Sequence, residues 1–390
     1  MDRRTYDLVL FGATGYTGSL TASYLAHAAP PGLRWALAGR NVSKLGVLRD
    51  DLAADHPTLG DLPLLTADVG DPTSLAEVAA ASKVIATTVG PYLKYGELLV
   101  AACAEHGTGY LDLTGEPEFV DRMYVRYHRK ASESGARLVH AAGFDSVPHD
   151  LGAYFTVCQL PEGVPLSVEE YVRANGRFSA GTAHSTITAL SRLRDSAQAA
   201  RERRELEPRP EGRRVRARLG RPRHEVAAGG WIVPLPTIDP QIVARSAAAL
   251  DRYGPDFTFS SYLRTRRLVT AVGAMAGAAG LAGAAQIPPA RRWLLSRWQS
   301  GEGPTPEQRA KGWFRLRFVG QGGGQRVVTE VSGGEPGYTE TAKMLAEAAM
   351  CLATDELPAT VGQVTTAAAM GDALTERLRK AGINFTVVEG

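Results

Sequence analysis

Tyr6 to Gly18 reads YDLVLFGATGYTG, and this stretch decides the fold. Leu8, Val9, Leu10 and Phe11 are four consecutive apolar residues, the pattern of a strand buried on both faces of a parallel sheet. Gly12, Gly15 and Gly18 follow at once, and Leu20 to Ala29 then reads as a helix. Strand, glycine turn and helix in that order form the context of a dinucleotide fingerprint. Gly12 permits the tight turn, Gly15 lets backbone approach a pyrophosphate, and Gly18 lets helix and strand pack closely. Ala13, Thr14, Tyr16 and Thr17 complete the loop, whose helix N-terminus offers free N–H groups to negative charge. The spacing is GxxGxxG, a stretched variant of the commoner GxGxxG, and a plain glycine turn is the bland reading beside it.

The rest of residues 1–150 alternates apolar runs with amphipathic stretches, as βαβ units do. Trp35 to Ala38, Leu62 to Ala67, Val84 to Val89, Tyr110 to Leu113 and Arg137 to Ala141 read as the later strands. Ser43 to Ala54, Pro72 to Ala81, Gly96 to His106 and Glu118 to Ser134 read as helices. The expectation is an α/β fold: a Rossmann-type, doubly wound parallel sheet with its ligand at the carboxyl ends of the strands.

At 390 residues the chain is long enough for two domains. The pattern changes after Leu151, and a second α+β domain is expected over 151–337. Ser167 to Ala174 and Phe257 to Leu263 read as strands, and Thr182 to Arg201 as a helix. Trp313 to Val319 and Arg326 to Ser332 pair as a hairpin across Gly320 to Gly324. In 338–390, Tyr338 to Thr354 and Val361 to Lys380 read as helices and Asn384 to Val388 as a strand. This segment is expected to pack back on the first domain.

A net charge of +3 is too small to point to nucleic acid. Cys103, Cys158 and Cys351 are odd in number and lack metal-ligand spacing, so reduced thiols and no metal are expected. The first strand begins within a few residues of Met1, which fits no signal peptide, so a cytoplasmic location is expected. Two stretches leave alternatives open. Arg201 to Arg223 is arginine- and proline-rich, a solvated loop or a docking patch for an acidic partner. Leu268 to Ile287 (LVTAVGAMAGAAGLAGAAQI) has no charge over a bilayer-spanning length. It is a packing helix, a peripheral lipid or partner surface, or a span.

Cofactor choice turns on the end of the second strand. An NAD site would place Asp or Glu there, whereas this chain has Arg40, followed by Asn41, Ser43 and Lys44. Arg40 can pair with a 2′-phosphate, with Lys44 or Ser43 adding donors, so NADP(H) is expected. Asp68 ends the third strand, where it touches adenine or caps the next helix. Val89, Gly90 and Pro91 would wall the nicotinamide ribose. Tyr92 either donates its hydroxyl to a substrate carbonyl or packs, and is the catalytic candidate. After the sixth strand, Gly143 and Phe144 precede Asp145, Ser146, His149 and Asp150, with His140 upstream. This is the densest polar set, and it fits neither a serine-hydrolase elbow nor a metal site. Asp145 and Ser146 read as caps of a helix over Asp150 to Val157.

The strings GATGYTG, LAGR, TTVGPY, YLDLTGE and HAAGFDSVPHDLG together resemble the saccharopine-dehydrogenase-like NADP-binding family. Gly176 to Ala183 (GRFSAGTA), Glu335 to Leu345 (EPGYTETAKML) and Thr365 to Leu378 (TTAAAMGDALTERL) look like its trans-acting enoyl reductases, which serve polyketide synthases in lipid biosynthesis. The resemblance implies reduction of an enoyl thioester carried on a synthase or carrier protein, with NADPH as donor. Tyr92, or backbone N–H groups around Gly90 and Gly143, would then meet the enolate charge. An amino- or hydroxy-acid dehydrogenase is the second reading, and would need convergent arginines such as Arg173 and Arg177. A non-catalytic NADP-binding scaffold at a lipid or synthase surface is the third, and a homo-oligomer is an open question beside all three.

Overall fold

The computed structural model describes residues 4–176, 180–297 and 303–390. The first domain runs β1 (Tyr6–Phe11), α1 (Tyr16–Ala28), β2 (Trp35–Gly39), α2 (Val42–Asp55), β3 (Leu64–Thr66), α3 (Pro72–Ala81) and β4 (Ser82–Thr87). It continues with α4 (Tyr92–Tyr95), α5 (Glu97–His106), β5 (Gly109–Leu111), α6 (Pro117–Ser134), β6 (Arg137–Val139) and α7 (Val147–Val157). Side chains alternate across the sheet as the pleat requires. Leu8, Leu10, Val84 and Ala86 join the core on the side of α1. Val9, Phe11 and Ile85 join a second core beneath α3, α5 and α6. Both faces are buried, which is why the strands read as continuous apolar runs.

The second domain begins with β7 (Leu166–Asn175), α8 (Ala180–Ser191), α9 (Leu193–Leu206), β8 (Arg214–Ala217), β9 (Arg223–Glu225) and β10 (Gly230–Pro234). Next come α10 (Asp239–Ala249), β11 (Asp256–Thr265), α11 (Leu268–Gln286), α12 (Pro288–Ser296), α13 (Pro306–Arg309), β12 (Trp313–Gly322) and β13 (Gln325–Gly333). The chain ends with α14 (Thr339–Thr354), β14 (Gly362–Val364), α15 (Thr366–Lys380) and β15 (Asn384–Glu389). Its sheet has the order β15-β13-β12-β7-β11-β10-β9, with β8 also on β11. Leu166, Val168, Val172, Phe257, Phe259, Phe314 and Phe318 share one core with the α1 side of the first sheet.

Five readings change. The segment 361–380 opens with β14, which pairs in parallel with β6 and completes the seven-stranded order β14-β6-β5-β4-β1-β2-β3. Three residues carry too little periodicity to announce a strand, and only the free edge of β6 makes them one. While α14 packs on α1, β15 instead pairs with β13, so the C-terminal segment serves both sheets. The hairpin turn is tighter than expected, with only Gly323 and Gly324, at φ +58 and +77, between β12 and β13.

The fourth and fifth changes lie in the helices and the arginine run. Thr182 to Arg201 is not one helix, because Arg192 breaks α8 from α9 with φ −123 and ψ 31. Arg201 to Arg223 is not a loose loop either. Arg203 Nε sits 2.8 Å from Asp121, and Arg223 pairs with Glu169 at 2.6 Å. Arg213 donates to the carbonyls of Ala247 and Leu250 at the end of α10, where a cation meets the negative pole of the helix.

Candidate active site

The glycine loop has the shape a dinucleotide needs. Gly12 sits at φ +83, donates its N–H to the Ala38 carbonyl at 2.8 Å, and would place a Cβ 2.5 Å from Val89 Cγ2. At Gly18 a Cβ would lie 2.3 Å from the Gly12 carbonyl oxygen, so helix and strand touch through their backbones. Gly15 is different: it is exposed, and its nearest neighbour would be an ordinary 3.4 Å away. Space there faces outward, toward a ligand. Ala13 is buried, Thr14 exposed and Thr17 half-buried. Among the described residues, no acceptor meets the N–H groups of Tyr16 and Thr17, the first turn of α1. Thr88 Oγ1 donates to the Gly12 carbonyl at 3.0 Å and ties the β4 loop to this cradle.

The Tyr16 side chain has a second role. Its hydroxyl donates to the Pro304 carbonyl at 2.5 Å and accepts from Arg309, and its ring meets Tyr338 edge-on at 4.9 Å. The side chain therefore ties the glycine loop to the second domain, leaving only its backbone N–H for a ligand.

At the end of β2, Arg40, Ser43 and Lys44 are exposed, and among the described residues no acid pairs with Arg40 or Lys44. Asn41 Oδ1 accepts from the Lys44 N–H at 3.0 Å and caps α2. Asp68 is exposed and accepts from the Gly70 N–H at 2.8 Å, whereas Asp71 caps α3.

Tyr92 is a structural residue. It is buried, its hydroxyl donates to the Thr87 carbonyl at 3.1 Å, and it accepts from the Leu113 N–H at 3.1 Å. Burial, then the Asp112 carboxylate, push its pKa well above the usual phenol value. With both capacities taken by backbone, it is not placed to protonate a substrate. Nearby, Glu116 accepts from the Tyr92 and Leu93 N–H groups and from Ser185 Oγ at 3.1 Å, joining the β4 and β5 loops to α8. Pro91, cis to Gly90, starts α4.

Gly143 and Phe144 form a joint between domains. A Cβ on Gly143 would lie 2.7 Å from Leu113 and 3.0 Å from Thr341. The Phe144 N–H donates to Thr341 Oγ1 at 3.2 Å, and its ring meets Phe314 at 5.0 Å. The next turn is not capped as expected: Ser146 makes no side-chain cap bond, and its buried Oγ has no partner among the described residues. Asp150 instead accepts from Thr366 Oγ1 and the Ala367 N–H at the start of α15. His140 pairs with Asp112 at 2.6 Å beneath the sheet.

What remains is an acid–base cluster. His149 Nδ1 lies 2.6 Å from Glu170 Oε1 on β7 and 3.9 Å from Asp239 at the start of α10. Burial alone would lower the His149 pKa, but the Asp239 and Glu170 carboxylates outweigh it and hold it at about 9. Burial pushes Asp239 up to about 7 against the pull of His149. Half-buried Asp145 is pushed by burial to about 6, with His149 pulling it down. Its Oδ2 is 3.5 Å from where a Cβ on Gly115 would stand, beside the carboxyl ends of the first sheet's strands. Sequence reading missed Glu170 and Asp239. Glu170 was legible, since it shares the apolar face of β7 with Leu166, Val168 and Val172. Asp239 left no signal.

No family model matches the chain. A Mycobacterium tuberculosis protein provisionally assigned as a trans-acting enoyl reductase is 38% identical, covering 98% of this chain and 97% of that one. The trans-acting enoyl reductase of Mycobacterium ulcerans is 34% identical over the same shares. The chain belongs to the trans-acting enoyl reductase family. Its fold is that of Saccharomyces cerevisiae saccharopine dehydrogenase (L-Glu forming), at TM-score 0.57 and 12% identity over 98% of this chain and 99% of that one. This enoyl reductase is thus an oxidoreductase, and its cradle fits a nicotinamide dinucleotide: two positions exclude any Cβ, one opens outward, and a helix N-terminus is bare.

Proposed function

We propose that the protein reduces the double bond of an enoyl thioester carried by a polyketide synthase, with NADPH as donor and Asp145 as proton source. Gly15 and the first N–H groups of α1 would hold the pyrophosphate, and Arg40 with Lys44 the 2′-phosphate. When bound, the reduced nicotinamide supplies hydride to the β-carbon. Asp145, whose pKa burial raises to about 6, would supply the proton to the α-carbon as general acid. His149, positive behind it and fixed by Glu170 and Asp239, steadies the carboxylate that is left.

Full-length identity to proteins of that name carries this reading. The amino-acid reading is weakened by Arg173, which stacks over Trp313 at 5.3 Å among other arginines on the sheet face opposite α7. Arg177 lies outside the described residues. Incubation with NADPH and a carrier-bound enoyl thioester should deplete the absorbance of the reduced cofactor. Turnover confined to amino- or hydroxy-acids would replace this reading.

A further inference from the structure

We propose that α11 and α12 form a lipid-binding surface that lies flat on an anionic bilayer. Among the described residues, α11 is the one helix long and apolar enough to cross a membrane. Only Ala271 and Ala285 along it are buried. The helix packs against α8, and Gln286 donates from its end to the Leu190 carbonyl at 2.5 Å. The outward side should be polar on a surface helix in water. Here it carries Val269, Val272, Ala276 and Ala279 at helical spacing, all exposed, with Val269 81% open.

Topology rules out a crossing. β11 leads into α11 and β12 follows α12, yet both strands pair with β7 in one sheet. A single span would set neighbouring strands on opposite sides of the membrane. On a membrane the helix would therefore lie in the interface, as amphipathic anchors do.

Charge selects the partner. Between Asp256 and Glu302 there is no acidic residue, and six arginines bracket the apolar run. Arg266, Arg267 and Arg292 are exposed, and no acid pairs with them or with Arg291 among the described residues. Elsewhere, Arg203, Arg213, Arg216 and Arg223 all hold carboxylates. Trp293, 57% exposed on α12, adds an aromatic ring of the kind that settles at headgroup level. Cations at both ends of an uncharged face match phosphates around an acyl surface.

Flotation of the full-length protein tests this, with phosphatidylcholine vesicles alone and mixed with phosphatidylglycerol. The protein should rise with the mixed vesicles and be released by salt. R266Q/R267Q/R291Q/R292Q should weaken that binding by roughly tenfold or more. V269E/V272E should stay at the bottom with an unchanged melting midpoint. Failure of the unmodified protein to float overturns the proposal, as does equal binding to both vesicle types that the arginine variant does not alter. A dimer in light scattering that V269E/V272E dissolves also overturns it, because the face would then belong to a second copy. None of these outcomes depends on turnover, so the enoyl reductase reading stands or falls separately.

Discussion

Nδ1 of His149 lies 2.6 Å from Oε1 of Glu170, joining the helix after β6 to the first strand of the second sheet. Both groups are buried, so the contact is a charge-assisted bond sheltered from water. Although burial opposes it, the Asp239 and Glu170 carboxylates keep the imidazole protonated to about pH 9, against 6.5 for the unfolded chain. Stability from this proton is fully present below pH 6.5 and is lost as the pH rises through about 9. Full loss amounts to about 3 kcal/mol. Asp145 and Asp239, both raised by burial, also cost stability as pH rises, but only up to about 7. Urea unfolding followed above pH 7 should therefore show a slope that His149→Gln flattens; an unchanged slope would assign the proton elsewhere.

Asp145→Asn should lower kcat roughly hundredfold or more, the share that a positioned acid supplies. NADPH affinity should hold, and the melting temperature should not fall, since burial already disfavours the carboxylate. Fluorescence-detected single turnovers read the first effect, and calorimetry the second. A variant with full activity would remove Asp145 from the chemistry.

Tyr92→Phe separates packing from catalysis. It strips a buried hydroxyl from the Thr87 carbonyl and the Leu113 N–H, at a cost of about 1–3 kcal/mol. Activity per folded molecule should stay near that of the unmodified protein. Selective loss of kcat with unchanged stability would restore the catalytic role.

Arg40 reads the coenzyme if it meets the 2′-phosphate. Arg40→Asp should weaken NADPH binding by about 1–3 kcal/mol and leave NADH nearly untouched. Titration calorimetry with both coenzymes decides; equal losses would mean that Arg40 does not touch the phosphate.

Gly15 and Gly18 should respond unequally. Gly18→Ala forces a methyl against the Gly12 carbonyl, 2.3 Å away, and should destabilise the fold by about 1–3 kcal/mol. Gly15→Ala meets nothing closer than 3.4 Å, so the melting curve should stay while coenzyme binding weakens. Equal melting shifts for both would contradict this division of labour.

Local pattern made the first domain readable. Leu8 to Phe11 announce a strand, and the turn after it needs Gly12 at φ +83 and Gly18 against the Gly12 carbonyl, both demands made within the turn itself. Arg40 is legible for the same reason, since it follows its own strand directly. The uncharged run from Leu268 was equally plain as a helix, but its surroundings were not.

Tertiary structure decided the rest, because those properties belong to pairs of distant residues. Tyr92 was open between a substrate donor and a packing residue until Leu113 and Thr87 were seen to hold it. Asp239 became part of a site only when α10 brought it to His149, ninety residues earlier in the chain. That a single crossing by α11 would separate paired strands is visible only through β7, which pairs with the strands on either side of it. Sequence by itself determines what a residue does to its own backbone within a turn or two. Burial, ionisation and partnership depend on what the fold sets opposite that residue, and no local pattern carries that information.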